Sequence, residues 1–140
     1  MASSDPWKRL GFSEQQCEQN LLKDQIEVHA LVEDGKLLAF MATLEHGIGF
    51  EPMIEYLCVD ESLRGKGIGT AFIGYFEREL FEKEDNLYMF VSDINPRAKA
   101  LYGRLGYHQV GVWPDYNLKG QTEYLMRKTR GPKQDRREKR

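Results

Sequence analysis

Two cysteines in 140 residues, Cys17 and Cys58, are too few for a disulfide-stapled scaffold. Both are expected as reduced thiols, which suits a cytoplasmic protein, and Cys58 lies in an apolar run where a small core residue is a plainer reading than a catalytic thiol. The three histidines, His29, His46 and His108, lack ligand spacing, and with no Cys/His cluster no metal site is expected. No apolar stretch approaches the ~20 residues of a membrane span, and the chain does not open with a charged-then-apolar export signal, so no membrane partner is expected. Internal repeats are absent as well. The formal net charge is only −2, but it is unevenly spread. Residues 130–140 hold six basic side chains against two acidic ones, a net of +4, which leaves −6 for residues 1–129. The basic end is expected to be disordered and reads as a solvated tail ahead of a nucleic-acid-binding one. The acidic remainder suits a cationic small molecule such as an amine.

What is present has the size of one domain, spanning residues 1–129 ahead of the 130–140 tail. Ser13 caps a predicted helix over 14–23, with Gln16 as its capping-box partner. Residues 26–32 and 37–44 flank Asp34-Gly35, a hairpin signal. A strand over 54–60 leads to a helix over 67–83, with Ile68, Ala71, Phe72, Tyr75, Phe76 and Leu80 on one side. A central strand over 87–92 precedes a short helix opened by Asn95, and residues 107–113 and 123–128 form a last pair of strands. Antiparallel hairpins interrupted by two strand-to-helix units predict an α/β protein: a mixed, mainly antiparallel sheet with helices on both faces.

The segment Arg64, Gly65, Lys66, Gly67, Ile68, Gly69, Thr70 stands between a strand and a helix. Its glycines allow positive φ and a close backbone approach to an anion, beside the partly positive start of a helix. A diphosphate cradle is the expectation. The nucleotide P-loop does not fit, because Lys66 precedes the second glycine. The dinucleotide fingerprint fails too, since the glycines alternate. What fits is Arg-x-x-Gly-x-Gly after a strand ending Val-Asp. A second segment begins at Asn95 and Pro96, carries Ala98, Leu101, Tyr102 and Leu105 as a helical stripe, and closes on Gly106-Tyr107. Together the two segments resemble the acyl-CoA motif and the Asn-x-x-Ala-x-x-Leu-Tyr signature of the GNAT superfamily of N-acetyltransferases, a resemblance that runs over about 26–128.

The resemblance implies a splayed pair of central strands, acetyl-CoA as co-substrate, and acetyl transfer to a primary amine. Arg64 and the amides from Gly65 to Thr70 would hold the diphosphate, while the strand backbone at Leu57, Cys58 and Val59 would pair with the pantetheine arm. Asn95 would touch that arm, although capping its own helix explains it equally. Tyr102 would sit by the sulfur as general acid, its ordinary pKa of ~10 lying near a thiol's ~8.5. Without the motif, Tyr102 is simply a core member of its stripe. Because an alkyl ammonium has a pKa near ~10.4, a base is useful, and Glu55, nine residues before Arg64, is the candidate, acting directly or through a water. Strand alternation predicts Met53, Glu55, Leu57 and Val59 on one face. An edge-of-sheet salt bridge is the equal alternative for Glu55.

Two expectations concern what the family pattern leaves open. Residues 1–10 do not alternate as a first strand should, so that strand is missing, replaced or supplied by a partner chain, which leaves a homodimer open. Glu45, His46, Phe50, Trp113, Asp115 and Tyr116 fall in predicted loops that could edge an acceptor pocket. The acceptor classes are a small-molecule amine, a protein N-terminus, lysine or aminoacyl-tRNA, with a non-catalytic acetyl-CoA-binding regulator as the third function.

Overall fold

The computed structural model describes Met1, Gly11 and residues 13–132. The expectations about a first strand within 1–10 and about most of the basic tail lie outside those residues. Among the described residues the order is α1 (Glu14–Leu21), β1 (Ile26–Glu33), β2 (Lys36–Leu44), β3 (Met53–Val59), α2 (Ile68–Leu80), β4 (Asn86–Ser92), α3 (Pro96–Arg104), β5 (His108–Pro114) and β6 (Thr122–Thr129). The six strands form one sheet in the order β1-β2-β3-β4-β6-β5. Only β3 and β4 run parallel, as a strand-helix-strand connection through α2 requires.

Local chemistry sets most boundaries. Ser13 Oγ accepts from Gln16 N at 3.2 Å while Gln16 Oε1 accepts from Ser13 N at 2.9 Å, closing the capping box that starts α1. Asp34 and Gly35 take φ values of 50° and 73°, the left-handed pair of a two-residue hairpin turn, and Glu33 lies opposite Lys36. Asn95 Oδ1 accepts from Ala98 N at 3.2 Å, Pro96 takes the first helical position, and Gly106 at φ 94° ends the α3 region.

The core has two sides, because neighbouring strand residues face opposite ways. Ile73 and Phe76 of α2, Tyr102 of α3, Met41 of β2 and Leu87 and Met89 of β4 form the larger cluster. Phe40, next to Met41, belongs instead to a smaller cluster with Cys58, against which Leu21 of α1 and Tyr56 pack. Helices α2 and α3 therefore cover one face and α1 the other. Met41 and Leu87 are fully buried, so truncating either to alanine would cost roughly 2–5 kcal/mol. Lys128 Nζ lies 2.9 Å from Glu77 Oε2 and fastens β6 to α2.

The predicted stripe on α2 needs one correction. Ile73, outside that stripe, is 1% exposed, whereas Tyr75 is 39% exposed. At Gly69 the helix approaches both Leu57 of β3 and Leu101 of α3, so its buried arc is rotated and wider than a single-sided helix would show.

Candidate functional site

Between β3 and β4 the ladder consists of Met53↔Tyr88 and Ile54↔Met89 alone. Beyond those pairs the strands diverge, while β3 stays bonded to β2 through Met41↔Leu57, Phe40↔Cys58 and Ala39↔Val59. Leu57, Cys58 and Val59 therefore form one wall of a cleft whose opposite wall is the second half of β4. The Val59 carbonyl accepts from Arg64 Nε at 3.3 Å, which ties that wall to the following loop.

A register shift accompanies the divergence. Ala42 lies opposite Tyr56 and Thr43 opposite Ile54, which leaves Glu55 as the extra residue of a β-bulge. This overturns the predicted alternation: Ile54 and Leu57 both belong with the α2/α3 cluster, while Tyr56 and Cys58 turn toward α1. Period-two reasoning fails at one inserted residue, since every side chain beyond it changes face.

After β3, Asp60 accepts from Ser62 N at 3.0 Å, and the hydrogen bonds from Ser62 hold its carboxyl below the usual range. The chain then turns through Gly65 at φ 77° and Gly67 at φ 83°, conformations that favour glycine. Gly67 is the N-cap of α2 and brings no side-chain cap, so the first-turn amides of Ile68, Gly69 and Thr70 look out of the helix end. A Cβ at Gly65 or Gly67 would meet nothing within 4 Å, so the space beside the loop is open, as an anion cradle needs. At Gly69 a Cβ would make ordinary contacts, 3.7 Å from Leu57 Cδ2 and 4.0 Å from Leu101 Cδ2, so this side of the helix start faces β3 and α3 and is not open. The start of α2 thus lies against Leu57 of β3 and against Leu101, the neighbour of Tyr102 on α3.

Tyr102 is 9% exposed, and burial pushes its phenol up to about 12. Its ring lies 6.5 Å from that of Tyr107, edge-on. Burial also raises the Glu55 carboxyl, with Lys23 acting the other way. Asn95 is shown in its capping role.

The other face of the cleft contains groups that the sequence reading missed. With Leu87, Met89 and Val91 facing α2 and α3, Phe90 and Ser92 point to the α1 side. Glu123 pairs with Ser92 and with Trp113, so all three share that side. Trp113, on β5 near the end of the predicted strand, meets Phe90 edge-on at 5.3 Å, and Tyr116 stacks on Phe90 at 6.0 Å. Glu123 is 6% exposed and accepts from Asn117 Nδ2 at 3.0 Å. Its burial had no local signal, because a single Glu in a strand reads as a solvent-facing residue until its neighbours are known. The remaining predicted pocket residues scatter. Glu45 lines a separate cavity of about 290 Å³ between β1, β2 and the second half of α2, and Phe50 is 79% exposed. Among the described residues no helix is long and apolar enough to cross a membrane, and no group of three or more His, Cys, Asp or Glu could hold a metal.

A diverging parallel strand pair that delivers the chain into a glycine cradle at a helix start is the arrangement of acyl-CoA-dependent acetyltransferases. Residues 2–107 match the acetyltransferase (GNAT) family, and the chain belongs to that family. Among solved structures, an aminoglycoside 6'-N-acetyltransferase complexed with coenzyme A superposes with a TM-score of 0.70 at 21% identity, over 90% of this chain and 85% of that one. The ribosomal-protein-S18-alanine N-acetyltransferase from Escherichia coli gives 0.68 at 23% identity, over 84% and 77% of the two chains. At these identities the likeness establishes the fold. An uncharacterized protein of Mycobacterium leprae is 33% identical over 91 residues, 64% of this chain, and the chain spans only 25% of that relative's length.

Proposed function

We propose that this protein is an N-acetyltransferase that moves an acetyl group from acetyl-CoA to a primary amine by direct attack, with residues 1–129 as the catalytic domain. The observation that carries this reading is the end of the β3–β4 ladder at Ile54↔Met89, which leaves a strand edge leading into the open loop at Gly65 and Gly67. The backbone of Leu57, Cys58 and Val59 would take the pantetheine amides, in the manner of an added strand. Arg64, Lys66 and the amides of Gly65, Gly67, Ile68, Gly69 and Thr70 would hold the diphosphate, with Asn95 beside the arm. The co-substrate supplies the acyl group and a thiolate leaving group.

Glu55 would relieve the amine of its proton, directly or through a water, and its position as the bulge residue just past the last β3–β4 pair supports this reading. A raised carboxyl pKa improves its match to that task at neutral pH. Tyr102 would act at the sulfur as general acid. Its phenol, held near 12, keeps its proton at neutral pH and gives a hydrogen bond to the departing thiolate more readily than the whole proton. The reduced state of Cys17 and Cys58, both free and buried, fits a cytoplasmic setting. A peptide N-terminus stays a second acceptor class, supported by the fold shared with a ribosomal-protein acetylase. Calorimetry with acetyl-CoA, followed by thiol release against a panel of amines and peptides, tests the reading. No uptake of acetyl-CoA would end it, and uptake without thiol release would favour a regulatory binder.

A further inference from the structure

Glu123 is a buried carboxyl without a cation. It lies beside the cleft on the α1 side, where Phe90, Trp113 and Tyr116 pack together. Among the described residues its hydrogen-bond donor is the neutral amide of Asn117, no Lys, Arg or His pairs with it, and the carboxylate of Asp93 is close enough to raise its pKa further. Across the β4–β6 pair, Ser92 is 4% exposed and its Oγ, near the same carboxyl, makes no hydrogen bond of regular geometry. A charge removed from water and left without an opposite charge is costly, and a second carboxylate nearby makes it more so. Such a site is completed by a cation that brings its own donors. An ammonium provides three, enough for Glu123 and Ser92 together.

We propose that Glu123 and Ser92, flanked by the Phe90, Trp113 and Tyr116 rings, bind a second ammonium group of the acceptor, so that the favoured substrate is a small diamine or polyamine. This rests on the acetyl-transfer reading and adds the substrate class. One amine reacts at the cleft while the other is held at Glu123, and the aromatic rings cover the aliphatic segment between them. The acidic charge of residues 1–129, −6, draws such polycations toward the protein before any contact forms.

The test compares short α,ω-diamines with monoamines of equal chain length, by thiol release from acetyl-CoA and by calorimetric binding of each amine to the full chain in the presence of coenzyme A. The unaltered protein should prefer diamines by roughly 10- to 100-fold in kcat/KM, mostly through KM. Glu123→Gln keeps an acceptor for Asn117 and should bring diamines down to the monoamine level while monoamines stay unchanged. A role confined to holding the Asn117 turn would not move that ratio. Equal kcat/KM for the two classes, or a preference that survives Glu123→Gln, overturns the proposal. If acetyl-CoA binds but no amine releases thiol, acetyl transfer fails separately, and calorimetry still decides. Tighter diamine binding that is lost in Glu123→Gln upholds the site, and equal binding overturns it.

Discussion

Replacing Gly67 by alanine separates the backbone's own requirement for glycine from the ligand's. Gly67 sits at φ 83° as the N-cap of α2, and an added Cβ would meet nothing within 4 Å. The folded protein therefore loses only the left-handed strain, roughly 1–2 kcal/mol for a non-glycine residue. For a chain of this size that lowers Tm by roughly 3–8 °C. Coenzyme binding should suffer more. The methyl group occupies the open space from which a phosphate would reach the amides, and loss of one hydrogen bond to a charged group, about 1.5–3 kcal/mol, weakens affinity roughly 10- to 150-fold. Gly69→Ala is the control. There the Cβ makes ordinary contacts with Leu57 and Leu101, and alanine is favoured over glycine in a helix by about 1 kcal/mol, so Tm should hold or rise with coenzyme affinity unchanged. Urea or thermal unfolding gives the first quantity and calorimetry with coenzyme A the second. If Gly67→Ala shows the strain but binds coenzyme normally, the diphosphate does not lie against this loop.

Three further outcomes are expected. Tyr102→Phe should lower turnover roughly 10²-fold with acetyl-CoA affinity intact, since the ring keeps its place in the core, and unchanged turnover would remove Tyr102 from the chemistry. With Glu55 as base, kcat/KM should fall as pH drops through a carboxyl pKa raised by burial, and the acid limb should vanish in Glu55→Gln; a limb that persists points to another base. Glu123 also has a raised folded pKa, so the folded state binds its proton more tightly, and that stabilisation is present below the unfolded carboxylate range and is lost as pH rises through the raised value. Glu123→Gln should accordingly raise Tm at neutral pH by an amount that shrinks in acid, and a Tm difference independent of pH would contradict the buried-charge account.

Legibility in the sequence followed the range of the interactions. The capping box at Ser13 and Gln16, the Asp34-Gly35 turn, the Asn95-Pro96 helix start and the left-handed turn at Gly65 and Gly67 are made by residues a few positions apart, so their spacing alone determined them. The motif pair was enough to place the family and the six-stranded mixed sheet. Only tertiary structure decided the rest. The bulge that leaves Glu55 unpaired arises from the register of β3 against β2, the packing of Gly69 from the approach of α3, and the burial of Glu123 from the joining of β4, β5 and β6. Each depends on which distant strand or helix lies alongside, and pairing across dozens of residues leaves no periodicity in either partner for a sequence reading to find.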